Sequence, residues 1–544
     1  YIHIVILFVM ICLVVISMKT VPYNWDSMTY HLPRIMHWIQ NGSINHYATN
    51  IVRQITSPSF AEISNMHVYL LSGSSDIYVN LLQTFSFIVN TFIVYFIAKK
   101  LGCDKKFSIL AMILALSMPI GIAEALTTQV DNFAALWCLI FTYFILDFLD
   151  KKEKLQINKE NILKLMCLGI SLGFGYLTKP TVLFSDALFT LYLFIVCIIR
   201  KDRLAYVIKS VLIVLIITII ITAPNVKRNI KTFNSISDPI AGSKQMIHTD
   251  KKSYFAINFI KNLLWNYPTF IINENDVAIM DYVEELAEKH NVPINDESIS
   301  EGGFAYAIEK GIIYHHDYAI NPLIMWSLTG TIALYIVYAI NNKFKCGNTS
   351  LYYCVITVLA FLIFMAVMRF QIWSTRYEIS FLTLLCPTIS ILLSTALDKS
   401  NYKYYFIGAI SCLAFISIVN QFNYHEKKTK IENNDRTANY FNSNKGLYNS
   451  YLEITNIINE KGYTNIGIEI TEDTYEYPFY IMINNIDRLE HINVNNSTNI
   501  YYDENYVPDV VISRISHEDS QIYNNNKYNK IYDLEKYSVY ELIK

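Results

Sequence analysis

The sequence predicts a mainly α, polytopic membrane protein of about eleven transmembrane helices, with a small C-terminal α/β domain at 421–544 lying outside the membrane. Three observations predict it. Of 544 residues, 53% are hydrophobic and only 17% charged, whereas a soluble domain needs roughly 25% charged residues to cover its surface. Apolar windows long enough to cross about 30 Å of hydrocarbon recur along the first 420 residues. Beyond them the chain turns polar and its periodicity changes. The formal net charge is −2, so no basic field points to nucleic acid as a partner.

The windows fall near 1–18, 77–98, 107–123, 131–149, 162–177, 181–199, 206–223, 322–340, 351–368, 378–397 and 403–420. The first begins at Tyr rather than Met and lacks the small-residue cleavage site of a signal peptide, so it reads as the remainder of a retained span. Lys and Arg concentrate in 99–106, 150–154, 200–203, 342–345 and 398–403, which are alternate connections. Cytoplasmic loops carry that excess. The N-terminus is therefore placed inside, with 19–76, the turns near 124–130 and 177–180, 224–321, 369–377 and the tail outside. The nine cysteines (Cys12, Cys103, Cys138, Cys167, Cys197, Cys346, Cys354, Cys386 and Cys412) all sit in spans or inner loops, so no external disulfide framework is implied.

In the tail, 451–462 reads as an amphipathic helix ended by Gly462, and 464–470, 508–515 and 536–543 read as strands. Helical patterns at 254–265 and 281–290 punctuate the long external loop. The chain shows no heptads and no internal repeat.

Sidedness sorts the ionisable groups. Asp26, His31, Arg34 and His37 follow span 1; Glu62 and His67 precede span 2; Glu124 and Asp131 bracket the start of span 4; Lys179 lies between spans 5 and 6; His315, His316 and Asp317 precede span 8; Arg369 and Arg376 precede span 10. They collect at one face. Ionisable groups at membrane depth are costly and are candidates for function. Structural roles compete: Arg34, Lys179 and Arg369 could snorkel to headgroups, Asp131 could cap its helix, and His37 and His67 could simply pack. Asp26, framed by Trp25 and Tyr30, has no evident structural duty.

Two external carboxylates beside basic groups suit one reaction type. A carboxylate takes the proton of an acceptor as it attacks an anomeric carbon, while Arg and Lys hold a phosphate leaving group. The other use of Asp26, Asp131 and Glu62 is to hold a divalent cation, Mg or Mn, for the same phosphate. No P-loop, dinucleotide fingerprint, HExxH or CxxC occurs.

"NWDSMTYHLPRIMHWIQNGSINHY", "TTQVDNFAALW", "GFGYLTKPTVLF", "HHDYAINPL" and "FQIWSTRYEISFLTLLCP" together resemble bacterial membrane proteins related to glycosyltransferase family 39. That group holds the dolichyl-phosphate-mannose protein mannosyltransferases and the lipid A aminoarabinose transferases, which share the GT-C fold. The resemblance covers roughly 1–420 and lies with an uncharacterised bacterial branch. It implies a polyprenyl-phosphate sugar donor, an acceptor that is an envelope glycan, lipid or protein, and transfer outside the cytoplasm. It implies Asp26 as the catalytic carboxylate, Asp131 as its support, and Lys179 and Arg376 at the lipid phosphate. Arg34, His31, Glu62, His316 and Asp317 are the further expected substrate-binding residues. Many relatives carry paired acids in the first loop; here Ser27 follows Asp26, leaving Glu62 or Asp131 as the second acid.

Two other functions fit the same composition: a transporter or flippase for a lipid-linked sugar, and a non-catalytic assembly protein. Transporters place charge at the midplane and repeat between halves. Here spans 2, 3, 9 and 11 are essentially uncharged and the polar groups gather at one face, which favours the enzyme.

Overall fold

With no water in the hydrocarbon to satisfy backbone N–H and C=O groups, an apolar run must close its hydrogen bonds on itself, and each predicted window does so as a helix. The computed structural model describes residues 2–149, 155–237, 245–268, 275–303, 306, 314–342, 348–398, 400–429 and 435–543. The basic segment 150–154, most of 342–345 and Cys346 lie outside the described residues.

Among the described residues ten helices are long and apolar enough to span, and Lys105–Leu116 with Pro119–Ala125, bent by 62° at the break, makes an eleventh when the pair is counted as one span. The window 107–123 is thus a broken span rather than a straight one. Pro119 explains the break, because its ring and missing N–H cannot continue the preceding helix. The break leaves 126–130 as a loop against the fourth span, Asp131–Leu149. The tenth span, Ile379–Ala396, is central, with 83% of its apolar window buried; the seventh, Leu204–Phe233, is peripheral at 6%. The fifth span, Lys159–Thr178, lies close against the seventh through Gly169 and Gly173. A Cβ at Gly169 would come within 2.7 Å of Ile217, and one at Gly173 within 3.0 Å of Ile221. Small residues at four-residue spacing permit that approach in a membrane.

The last span, Lys403–Thr429, runs past residue 420 before the chain enters its sheet domain. Helix Tyr448–Lys461 ends at Gly462, whose left-handed backbone (φ 70°) closes the helix without a Cβ penalty. Six strands follow: β1 Asn465–Glu469, β2 Arg488–His491, β3 Val510–Ser513, β4 Ser520–Tyr523, β5 Asn526–Asp533 and β6 Ser538–Leu542. Their order is β2-β1-β3-β6-β5-β4, with β1 parallel to β2 and β3 and the rest antiparallel. β4 and β5 turn on Asn524 and Asn525, both at positive φ, as a tight hairpin requires.

The sheet domain does not stand apart from the membrane part. Val21, Met28, Leu32, Ile35 and Ile51 of the loop after the first span share one buried core with Tyr451, Tyr477, Phe479 and Val510 of the tail. Trp25 meets Tyr475 edge-on at 4.9 Å, and the Glu476 backbone N–H donates to the Met28 carbonyl at 3.0 Å. The loop carrying Asp26 is therefore backed by the tail.

Candidate active site

Asp26 lies a few residues beyond the first span, at the head of a π-helical turn, Ser27–His31. Its Oδ2 accepts from Gln129 Nε2 at 2.9 Å and pairs with Arg376 Nη1 at 3.0 Å, while Arg53 Nη1 stands 3.6 Å from Oδ1. The same Arg376 nitrogen reaches Asp317 Oδ1 at 2.8 Å. Two carboxylates thus divide one guanidinium group. Burial would raise the Asp26 carboxyl, but Arg376, Arg53 and His31 outweigh it and hold it well below the usual carboxylate range. Asp317 goes the other way. Burial, with the Asp26 and Asp131 carboxylates nearby, lifts it despite Arg376 and Lys179.

Beside this pair, Asp131 opens the fourth span and binds the Lys179 ammonium, which leaves the end of the fifth. Lys179 Nζ also sits 3.6 Å from the centre of the Tyr377 ring, a cation–π contact. Burial and the neighbouring Arg376 pull Lys179 below the ordinary lysine range, against Asp131. Glu124 completes the set: both of its carboxylate oxygens are buried without a hydrogen-bond partner among the described residues.

A polar line supports Asp26 from behind. Glu62 Oε1 contacts His31 Nδ1 at 2.7 Å, and His31 Nε2 meets Gln129 Oε1 at 3.2 Å. The Gln129 amide then faces Asp26. Burial raises Glu62, but Arg34 and His31 bring it below the usual range.

Sequence reasoning placed Asp26, Asp131, Lys179, Arg376 and Asp317 at one face, and the fold brings them together. His31 and Glu62 stand one step back. Arg34 is placed differently. Fully buried, it donates to the carbonyls of Arg53, Gln54, Ser57 and Pro58 and lies 3.4 Å from Glu62, so its guanidinium braces the loop and is left with nothing for a ligand. His316 is also displaced, packing on Tyr23 at 5.6 Å and near Ser443 of the tail at 3.5 Å. The alternative use of Asp26, Asp131 and Glu62, to hold a cation, finds no shared cluster among the described residues. Asp26, Asp131 and Glu62 are each paired with a different basic group, and they do not converge within reach of one ion.

Gln129 and Arg53 join the site without having been chosen for it, and Glu124, noted in sequence only as one of the charges at this face, lies within it. "TTQVDN" draws attention to its Asp and reads the rest as helix start; Arg53 is one charge in a polar loop.

Residues 62–226 match the family model described as dolichyl-phosphate-mannose-protein mannosyltransferase. That region includes Glu62, Gln129, Asp131 and Lys179, and stops short of Arg376. The structure is similar to ArnT from Cupriavidus metallidurans bound to undecaprenyl phosphate, with a TM-score of 0.55 and 11% identity, over 99% of this chain and 97% of that one. The chain has the GT-C fold. The archaeal oligosaccharyltransferase AglB from Archaeoglobus fulgidus, in complex with an inhibitory peptide and a dolichol-phosphate, is similar with a TM-score of 0.52 and 11% identity, over 94% of this chain and 69% of that one. No curated protein matches the chain in sequence. Within the GT-C fold, the Asp26 array occupies the end of the bundle where broken span, first loop and tail meet.

Proposed function

We propose that this protein is an integral-membrane glycosyltransferase that moves a sugar from a polyprenyl-phosphate donor to a cell-envelope acceptor at the extracytoplasmic face. Residues 1–420 form the transferase and 421–544 an extracytoplasmic domain that backs its first loop. The GT-C fold, and the lipid phosphates held by ArnT and AglB, support the reaction class. The observation that carries the reading is the sharing of Arg376 between Asp26 and Asp317 beside the Lys179–Asp131 pair.

The chemistry follows from that sharing. An acceptor O–H or N–H attacks the anomeric carbon of the donor, the bond from that carbon to the phosphate oxygen breaks, and the charge grows on the lipid phosphate. Arg376 and Lys179 are the donors for that charge. Asp26 is the proton acceptor. Clamped by Arg376 and Arg53, it is a weak base. A phosphate that draws the guanidinium groups toward itself releases the Asp26 carboxylate, raises its basicity and couples proton removal to donor binding. Asp131 holds the Lys179 ammonium in place.

The test is transfer from an undecaprenyl-phosphate sugar by the purified protein. Asp26→Asn keeps the shape and removes the base, so it abolishes transfer while leaving membrane insertion and donor binding intact. Near wild-type transfer by that variant would refute the assignment.

A further inference from the structure

Away from the Asp26 array, His37, Glu476 and His491 meet in a completely buried cluster between the first external loop and the tail. His37 Nε2 lies 2.7 Å from Glu476 Oε1, and His491 Nε2 lies 3.2 Å from Glu476 Oε2. We propose that these three side chains hold a divalent transition metal, zinc by its chemistry, which staples the tail to the loop that carries Asp26.

Four observations carry this. First, Glu476 is a carboxylate removed from water, and among the described residues no Lys or Arg pairs with it; its ion-pair partners are the two imidazoles. A buried carboxylate needs a cation. Second, the two imidazoles lie side by side, with centroids 5.3 Å apart and planes 28° apart, and each turns its Nε2 to the Glu476 carboxylate.

Third, the three ligand atoms already lie within 4.8 Å of one another. A tetrahedral ion with bonds of about 2.0–2.1 Å separates its ligands by roughly 3.3 Å; His37 Nε2 and His491 Nε2 stand 2.7 and 3.2 Å from separate oxygens of Glu476, so admitting the ion means opening these contacts and turning one oxygen toward both rings. Two imidazoles and one carboxylate form a borderline-soft donor set suited to zinc and poor for Mg or Ca. The Tyr480 hydroxyl, 3.3 Å from His37 Nε2, marks the polar side where it or a water completes the shell. Fourth, the surroundings fit a ligand role. The Asn50 backbone N–H donates to His491 Nδ1 at 3.2 Å and the Asn50 side-chain oxygen lies 3.0 Å from it, contacts that fix the ring with Nε2 toward the cluster. Gln54 Nε2 donates to Glu476 Oε2 at 2.5 Å.

The staple is distinct from the transfer chemistry, and its place gives it a purpose. The backbone N–H of Glu476 holds the Met28 carbonyl, two residues from Asp26, so fixing Glu476 fixes the loop.

The experiment uses the full-length protein in detergent, purified without chelator. Elemental analysis is expected to find about one zinc per chain. After dialysis against cobalt(II), the intense visible d–d bands of a four-coordinate cobalt centre are expected. Chelation is expected to lower the wild-type melting temperature by several degrees, and His491→Ala and His37→Ala are expected to lose the bound metal and the response to chelator. The cobalt spectrum needs no variant, so a misfolded substitution does not decide the matter. Wild-type protein that retains no metal and gives no such bands would overturn the proposal, as would equal metal content in folded His37→Ala and His491→Ala.

Discussion

The two ends of the helix bundle use the same residue types to opposite effect. At the end that sequence charge assigns to the cytoplasm, Asp147 is held between Lys100 and Lys164, and Arg200 pairs with Asp202 at 2.8 Å while donating to the Phe148 carbonyl at the same distance. Asp147 and Asp202 each have a cation there, Lys164 also reaches Glu160, and the Asp147 pairs tie neighbouring helices together. At the other end Asp26 and Asp317 compete for one Arg376, and Glu124 is buried with neither oxygen bonded. An arrangement chosen for stability would not crowd carboxylates in this way. In the proposed transferase, an incoming phosphate relieves that crowding by taking up the basic groups.

The largest expected difference between the ends is in transfer rate. Asp26→Asn is expected to lower kcat by about 10³-fold, the order lost with a general base. Asp147→Asn, its counterpart at the opposite end, should stay within about twofold in the same assay, with a stability loss on the order of 1 kcal/mol. Equal loss from both would erase the distinction.

Next is Arg376→Lys. A point charge replaces a planar fork that spans two carboxylates, and transfer is expected to fall by roughly 10²-fold, with donor affinity reduced. Competition by undecaprenyl phosphate in a binding assay separates the two effects.

Stability should respond with opposite signs. The Asp317 carboxyl is raised in the folded protein, so its ionised form costs stability at neutral pH, and that cost disappears as pH falls through the folded value. Asp317→Asn is therefore expected to melt at or about 1 °C above wild type at pH 7, with transfer reduced. The Asp26 carboxyl is lowered, so it contributes stability above its unfolded value near ~3.9 that is lost as pH falls further. Asp26→Asn is expected to melt below wild type at pH 7, the gap closing on acidification. Melting curves of both variants at pH 7 and in acid check the signs.

The smallest change concerns only position. Cysteine placed at the exposed Asn449 of the tail should be labelled in intact cells by an impermeant thiol reagent, and cysteine at the exposed Lys105 should not. The reverse pattern would exchange inside and outside while leaving the contrast between the ends intact.

The eleven windows were legible because an apolar run in lipid has one stable answer, and the charges between them are counted without reference to a fold. In the tail, the helix ended by Gly462 and strands β1, β3 and β6 were legible for the same reason: their buried faces leave a pattern. β2, β4 and β5 were not. They lie toward the sheet edges, and stretches such as Arg488–His491 and Asn526–Asp533 are too polar to show alternation. The broken third span was hidden as well, since hydropathy averages across Pro119.

For the site, sequence by itself supplied the members that stand out against apolar neighbours: Asp26, Asp131, Lys179, Asp317 and Arg376. A charge beside a membrane span is conspicuous because it is costly there. Which of them touch, and which are diverted, only the tertiary structure decided. Arg34 looks like Arg376 in sequence, yet one closes on backbone carbonyls and the other on two carboxylates. Gln129 and Glu476 carry no signal of their own, because their roles arise from partners 103 and 439 residues away that chain folding alone brings within 3 Å.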